Sequence, residues 1–129
     1  MSPEDGRARR AALTTIYFLL TAGETSAWHR VVSDETWHYH EGAVLELIVC
    51  DPSLDEPRTC LLGPLGESCE PVRAVAAGWW QAARCSGAYT LVSCSVGPGF
   101  EFADFTMLRD LPERAAAFAR AQPVLSSLI

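Results

Sequence analysis

The sequence predicts an all-β domain, a sandwich or barrel, followed by one short C-terminal helix. Three observations lead there. Eight or nine short runs rich in β-branched and aromatic residues recur along the chain, separated by Gly, Pro, Asp and Ser turn signals. Their spacing of roughly 8–12 residues is that of strands in a sandwich or barrel. Only after Leu111 does an Ala- and Arg-rich pattern of helical type replace them.

The elements follow in order. Residues 1–11 are polar and read as a frayed terminus. Residues 13–21 (Leu-Thr-Thr-Ile-Tyr-Phe-Leu-Leu-Thr) form a buried strand. After the Ala22-Gly23-Glu24 turn, residues 26–32 and 35–40 are two strands joined at Ser33-Asp34, and Gly42 ends the second. Residues 44–50 are apolar on both faces except at Glu46, so this strand is covered on both sides. A loop over 51–57 holds two prolines and three acids. Strands follow at 58–62, 72–76, 79–84 and 89–96, and a short ninth at 100–105 after Gly97-Pro98-Gly99. Pro112 suits the first turn of a helix over 113–122.

A chain of 129 residues fits one domain, residues 1–129, with its own core, and 49% hydrophobic against 20% charged residues is globular. All ten basic residues are arginine and the formal net charge is −6, which argues against a nucleic-acid surface. The longest apolar run, residues 16–20, is too short to span a membrane. Five cysteines without Cys-x-x-Cys spacing, after a polar and charged start, point to reduced, mostly buried thiols in a cytoplasmic protein.

Chemistry concentrates in residues 28–42, which hold all three histidines, two tryptophans, a tyrosine and three acids. Strand alternation divides them. Glu35, Trp37 and Tyr39 share one face, and Thr36, His38 and His40 share the other. Two sites compete. In the first, His29 is a base, Glu35 its orienting carboxylate or a second acid/base, and Tyr39 a proton donor beside Trp37. In the second, His38 and His40 hold a metal; a structural or subunit-contact role explains that pair as well. Tyr17 alternates with Thr15 and Leu19 and is either a barrel-lining or a core residue. Phe100, Phe102 and Phe105 are core or pocket wall, and Arg30 and Arg84 are surface arginines or anion ligands. No nucleophile elbow and no phosphate-binding glycine loop is present.

The pattern His29-x5-Glu35-x6-Gly42 resembles the second half of the first cupin motif, and Ala76-Ala77-Gly78-Trp79-Trp80-Gln81 resembles the second, Pro-x-Gly-x-x-His. More closely, the chain is similar to the small cupin-5 group, a family of unknown function. It shares patterns at Ser26-Ala27-Trp28-His29-Arg30, Ser33-Asp34-Glu35, Trp37-His38, Gly78-Trp79-Trp80-Gln81 and from Pro98 to Phe105. The match spans about residues 14–105. The resemblance implies a double-stranded β-helix, or jelly-roll barrel, a homodimer, and a small-molecule pocket inside the barrel. It places His29, Glu35 and Gln81 inward with Trp37, Tyr39 and Trp79, and turns His38 and His40 outward.

The departures bear on cofactors. Metal-binding cupins use three histidines and a glutamate, and the corresponding positions here are Ala27, His29, Glu35 and Gln81. A glutamine oxygen is a poor substitute for imidazole. No cofactor is expected; a weakly bound divalent metal, if present, would use His29, Glu35 and Gln81. Relatives also carry a His-Pro-Glu-Gly-Gly-Tyr-like segment near their start, which residues 1–10 lack.

The expected function is general acid/base chemistry on a small organic metabolite: an isomerisation, epimerisation, cyclisation or elimination, of a kind found in bacterial secondary metabolism. His29, Glu35 and Tyr39 are the catalytic candidates. Tyr17, Trp37, Trp79, Gln81 and Phe102 are the substrate-binding ones. The rivals are a metal-dependent oxygenase or lyase and a non-catalytic ligand-binding or sensor module.

Overall fold

The computed structural model describes Arg7 and residues 9–129. Its strands are β1 (Thr14–Thr21), β2 (Thr25–Val31), β3 (Asp34–Gly42), β4 (Leu45–Cys50), β5 (Arg58–Leu62), β6 (Cys69–Glu70), β7 (Val72–Val75), β8 (Trp80–Cys85), β9 (Tyr89–Gly97) and β10 (Phe105–Met107), followed by helix α1 (Pro112–Ala121). One sheet has four strands in the order β1-β9-β3-β7, the other six in the order β10-β2-β8-β4-β5-β6. Only β6 runs parallel to its neighbour, β5; the other pairings are antiparallel. This is the predicted all-β jelly-roll barrel with a short C-terminal helix.

Two apolar layers hold it together. Between the sheets lie Leu20, Trp37, Leu45, Leu47, Leu62, Val75 and Val92. On the outer face of the six-stranded sheet, Trp28, Ile48, Trp80 and Ala82 are covered by Leu108, Phe118 and Leu128. Strand β4 is therefore apolar on both faces because it serves both layers. Its exception, Glu46, lies opposite Arg84 on β8 and pairs with it. Trp28 is fully buried, packs edge-on against Phe118 at 5.2 Å, and donates its indole N–H to the Leu125 carbonyl at 3.2 Å. Removing that ring would cost about 3–5 kcal/mol.

Four expectations are corrected. The strand placed at 100–105 is a 3-10 turn, Phe102–Asp104, followed by β10. Strand β6, two residues long, has no counterpart in the sequence reading, because its pairing is short and parallel. Strand β1, expected to be buried, is an edge strand that exposes Ile16, Tyr17 and Leu19, whereas β3 ends at Gly42 as expected. That glycine has φ +99°, and a methyl group there would collide with the Tyr89 carbonyl. The frayed terminus expected over 1–11 falls outside the described residues at 1–6 and 8, but Arg7 and Arg10 both bond the buried Asp104 carboxylate. Among the cysteines, Cys50 and Cys94 are buried, whereas Cys60, Cys69 and Cys85 are half-buried. No helix among the described residues is long and apolar enough to cross a membrane.

Candidate active site

A cavity of about 940 Å³ lies along β1 and β10, the outermost strands of the two sheets, and is also lined by β2, β3 and β9. His29 of β2, Glu35 and Trp37 of β3, and Cys94 of β9 line its floor. Phe100, Phe102 and Phe105 form an aromatic wall. Phe100 meets Phe102 edge-on at 5.1 Å and Phe105 at 6.0 Å, and Phe105 stacks on the His29 ring at 5.3 Å.

A β-bulge lies beside His29. Opposite β8, Ser26 pairs with Ala83 and His29 with Gln81, so β2 holds one extra residue between those pairs. Strand alternation sends Trp28 into the outer apolar layer while Ala27 and His29 both line the cavity, and the bulge lets the adjacent Ser26 line it as well. His29 Nδ1 lies 2.8 Å from the Ala27 carbonyl oxygen. A carbonyl only accepts, so Nδ1 carries the hydrogen and the neutral ring keeps a bare lone pair on Nε2. Burial pushes this imidazole below its ordinary value of 6.5, outweighing the Ala27 bond, which acts the other way. His29 is thus neutral near pH 7.

Glu35 is set by a separate network. The Gln81 Nε2–H donates to Glu35 Oε1 at 2.8 Å, and Gln81 Oε1 accepts from Trp37 Nε1–H at 2.7 Å. The indole can only donate, so the orientation of the Gln81 amide is fixed. Burial raises the Glu35 carboxyl above its ordinary 4.5, and the Gln81 and Cys94 donors partly offset this. Burial and the adjacent Glu35 push the Cys94 thiol well up, so it serves as a donor rather than as a thiolate nucleophile. His29 and Glu35 are not hydrogen-bonded to each other among the described residues. The orienting group on His29 is the Ala27 carbonyl rather than the expected Glu35 carboxylate.

The other predicted residues divide by depth and face. Gln81 is buried behind the floor and holds Glu35. Phe102 is 84% exposed at the cavity mouth. Tyr39 packs at the far end of the interior and donates its hydroxyl to the Gly42 carbonyl at 2.7 Å, away from the cavity. Trp79 packs against the same inner layer and does not line the cavity. Tyr17 points outward, 76% exposed, with its ring 5.6 Å from that of His40; Ile16 and Phe18 of the same strand line the cavity instead. A second bulge, between Tyr39 and Glu41, leaves His40 on the outer face, bonded to Ser93 at 2.8 Å. Arg30 lies over the Trp80 ring and Arg84 pairs with Glu46, so neither reaches the cavity. Cys94 and Arg109 are lining residues that the sequence reading missed. Arg109 lies in the 3-10 turn Leu108–Asp110 after β10, where strand alternation gives no signal.

The donor set does not fit a cupin metal. Ala27 and Gln81 occupy two of the four ligand positions, and both ends of the Gln81 amide are engaged. Among the described residues, no three His, Cys, Asp or Glu side chains are grouped to hold a metal ion.

A family model described as the cupin superfamily (DUF985) matches residues 1–108. A solved protein from Shewanella oneidensis is 31% identical over 98% of this chain and 80% of its own length, with a TM-score of 0.82. A hypothetical protein from Leishmania major is 32% identical over 100% of this chain and 80% of its own, with a TM-score of 0.79. A dTDP sugar isomerase from Desulfovibrio desulfuricans is 11% identical over 83% and 71%, with a TM-score of 0.63, a likeness of fold alone. No curated protein matches.

Proposed function

The chain belongs to this cupin family, and on that premise we propose that it is a small-molecule enzyme working by general acid–base catalysis without a metal. The observation that carries the reading is His29. It is a neutral imidazole in a largely apolar cavity, with Nδ1 bound to Ala27 and Nε2 without a partner among the described residues. Such a nitrogen takes a proton from an acidic C–H or O–H of a bound molecule. Glu35, kept protonated to higher pH by burial, is the group able to give a proton back. Loss of a proton at one atom and gain at another is an isomerisation; loss and return at the same carbon on its opposite face is an epimerisation; with a leaving group departing it is an elimination. Gln81 and Cys94 position Glu35, and Trp37 and Phe105 shape the site.

The protein is proposed to work as a homodimer through the outer face of the four-stranded sheet. There Tyr17, Leu19 and Val72 are 76%, 52% and 47% exposed beside His38 and His40.

The test of catalysis is hydrogen exchange at carbon in deuterium oxide, read by proton NMR over a panel of small ketones and oxo acids. Exchange above the buffer rate is expected, and His29→Asn should lower it by about 10²-fold or more. Saturable binding without exchange in any member would instead mark a ligand-binding module.

A further inference from the structure

The cavity has an uneven charge pattern that narrows its ligand. Arg109 is the only cationic side chain lining it among the described residues. The arginine is exposed and makes no hydrogen bond or ion pair with another described residue. Other arginines are engaged elsewhere: Arg7 and Arg10 on Asp104, and Arg84 on Glu46. In a chain of net charge −6, one unpaired guanidinium at the edge of an apolar cavity is a local anion attractor.

Strand register orders the aromatic wall and His29 along the cavity. On β10, Phe105 lies opposite Val31 and Met107 opposite His29. Arg109 follows Met107 in the 3-10 turn Leu108–Asp110, past the end of that register, and lines the cavity together with Thr25, Ser26 and Ala27 of β2. The aromatic wall of Phe100, Phe102 and Phe105 stands at the opposite, Val31 end. His29 sits between the two.

We infer that the site takes an organic anion, a carboxylate with an aromatic or other flat apolar group, whose anionic end is held by Arg109 and whose apolar end packs on the phenylalanine wall. The atoms between the two ends then lie against His29, where a proton is exchanged. This names the substrate class of the site proposed above, and it rests on that reading for calling the bound anion a substrate. The guanidinium supplies a charge-assisted, forked contact that suits a carboxylate better than a neutral amide.

The experiment is calorimetric titration of the full chain with 4-phenylbutanoate and with 4-phenylbutanamide, which differ in charge at one end. The carboxylate should bind the wild type about tenfold more tightly. In Arg109→Gln the two probes should converge on the amide's affinity, and Arg109→Lys should restore part of the gap. Equal affinities in the wild type, a preference that survives Arg109→Gln, or no binding of either compound at millimolar concentration would each overturn the inference. His29→Asn separates the two proposals, because it should abolish carbon–hydrogen exchange and keep the carboxylate preference. A preference kept where no exchange is found defeats the catalytic reading alone. Exchange found without the preference defeats the anion reading alone.

Discussion

Gln81 donates its amide hydrogen to Glu35 at 2.8 Å from the strand position at which the cupin pattern expects a metal-binding histidine. The same amide accepts from Trp37. A polar bridge stands at that position, and it holds the buried Glu35 carboxyl through a hydrogen bond.

Gln81→Leu should therefore be costly even though the leucine fits an apolar layer. It strands the Trp37 N–H and removes a donor from buried Glu35, at about 1–3 kcal/mol for each unmet group. Chemical denaturation compared with wild type measures the loss. A variant as stable as wild type would show that the bridge contributes nothing.

Restoring both lost ligand positions should create a metal site. The double variant Ala27→His/Gln81→His offers three imidazoles and Glu35, a set suited to a divalent transition metal. Purified without chelators, it should carry near-stoichiometric metal and the wild type only traces. Stoichiometric metal in the wild type would contradict the account of the site.

The two shifted groups give opposite pH dependences. For Glu35 the folded value is raised, so above its ordinary 4.5 the folded state holds a proton that the unfolded state has lost. Its contribution to stability then falls as pH rises. Glu35→Gln should accordingly melt higher than wild type near pH 8, with the gap closing toward pH 4.5. His29 has a depressed value, so below 6.5 the unfolded state binds the extra proton and stability drops on acidification. His29→Asn should lose less stability than wild type between pH 6.5 and 5. Melting curves followed by circular dichroism across this range check both signs.

The outer sheet face supplies a further test. Tyr17→Glu places a charge amid exposed apolar side chains and should shift the proposed dimer to monomer in sedimentation equilibrium. An unchanged mass would place any interface elsewhere.

Much of the barrel was legible because alternation and turn chemistry are local. Strands β1 to β5 and β7 to β9 lie within a residue or two of their predicted bounds. What escaped depends on non-local pairing. The bulge beside His29 arises from the register between β2 and β8, and no local signal marks it. Parity placed Tyr39 on the same strand face as Glu35 but carried no information on depth along the barrel, and its hydroxyl ended on Gly42. Tyr17 failed for a different reason: a strand of mixed apolar residues does not say which face is inside. Arg109 was hidden because a 3-10 turn, Leu108–Asp110, interrupts the alternation that Phe105 and Met107 begin.

The central claim is that His29 is a neutral base with a bare Nε2, and nitrogen NMR of the imidazole in the free protein tests it most directly. With only three histidines in the chain, His29→Asn assigns the signal. The account predicts the Nδ1–H form with an unprotonated Nε2 at pH 7 and a titration midpoint below 6.5. An Nε2–H form, or a midpoint above 6.5, would contradict it.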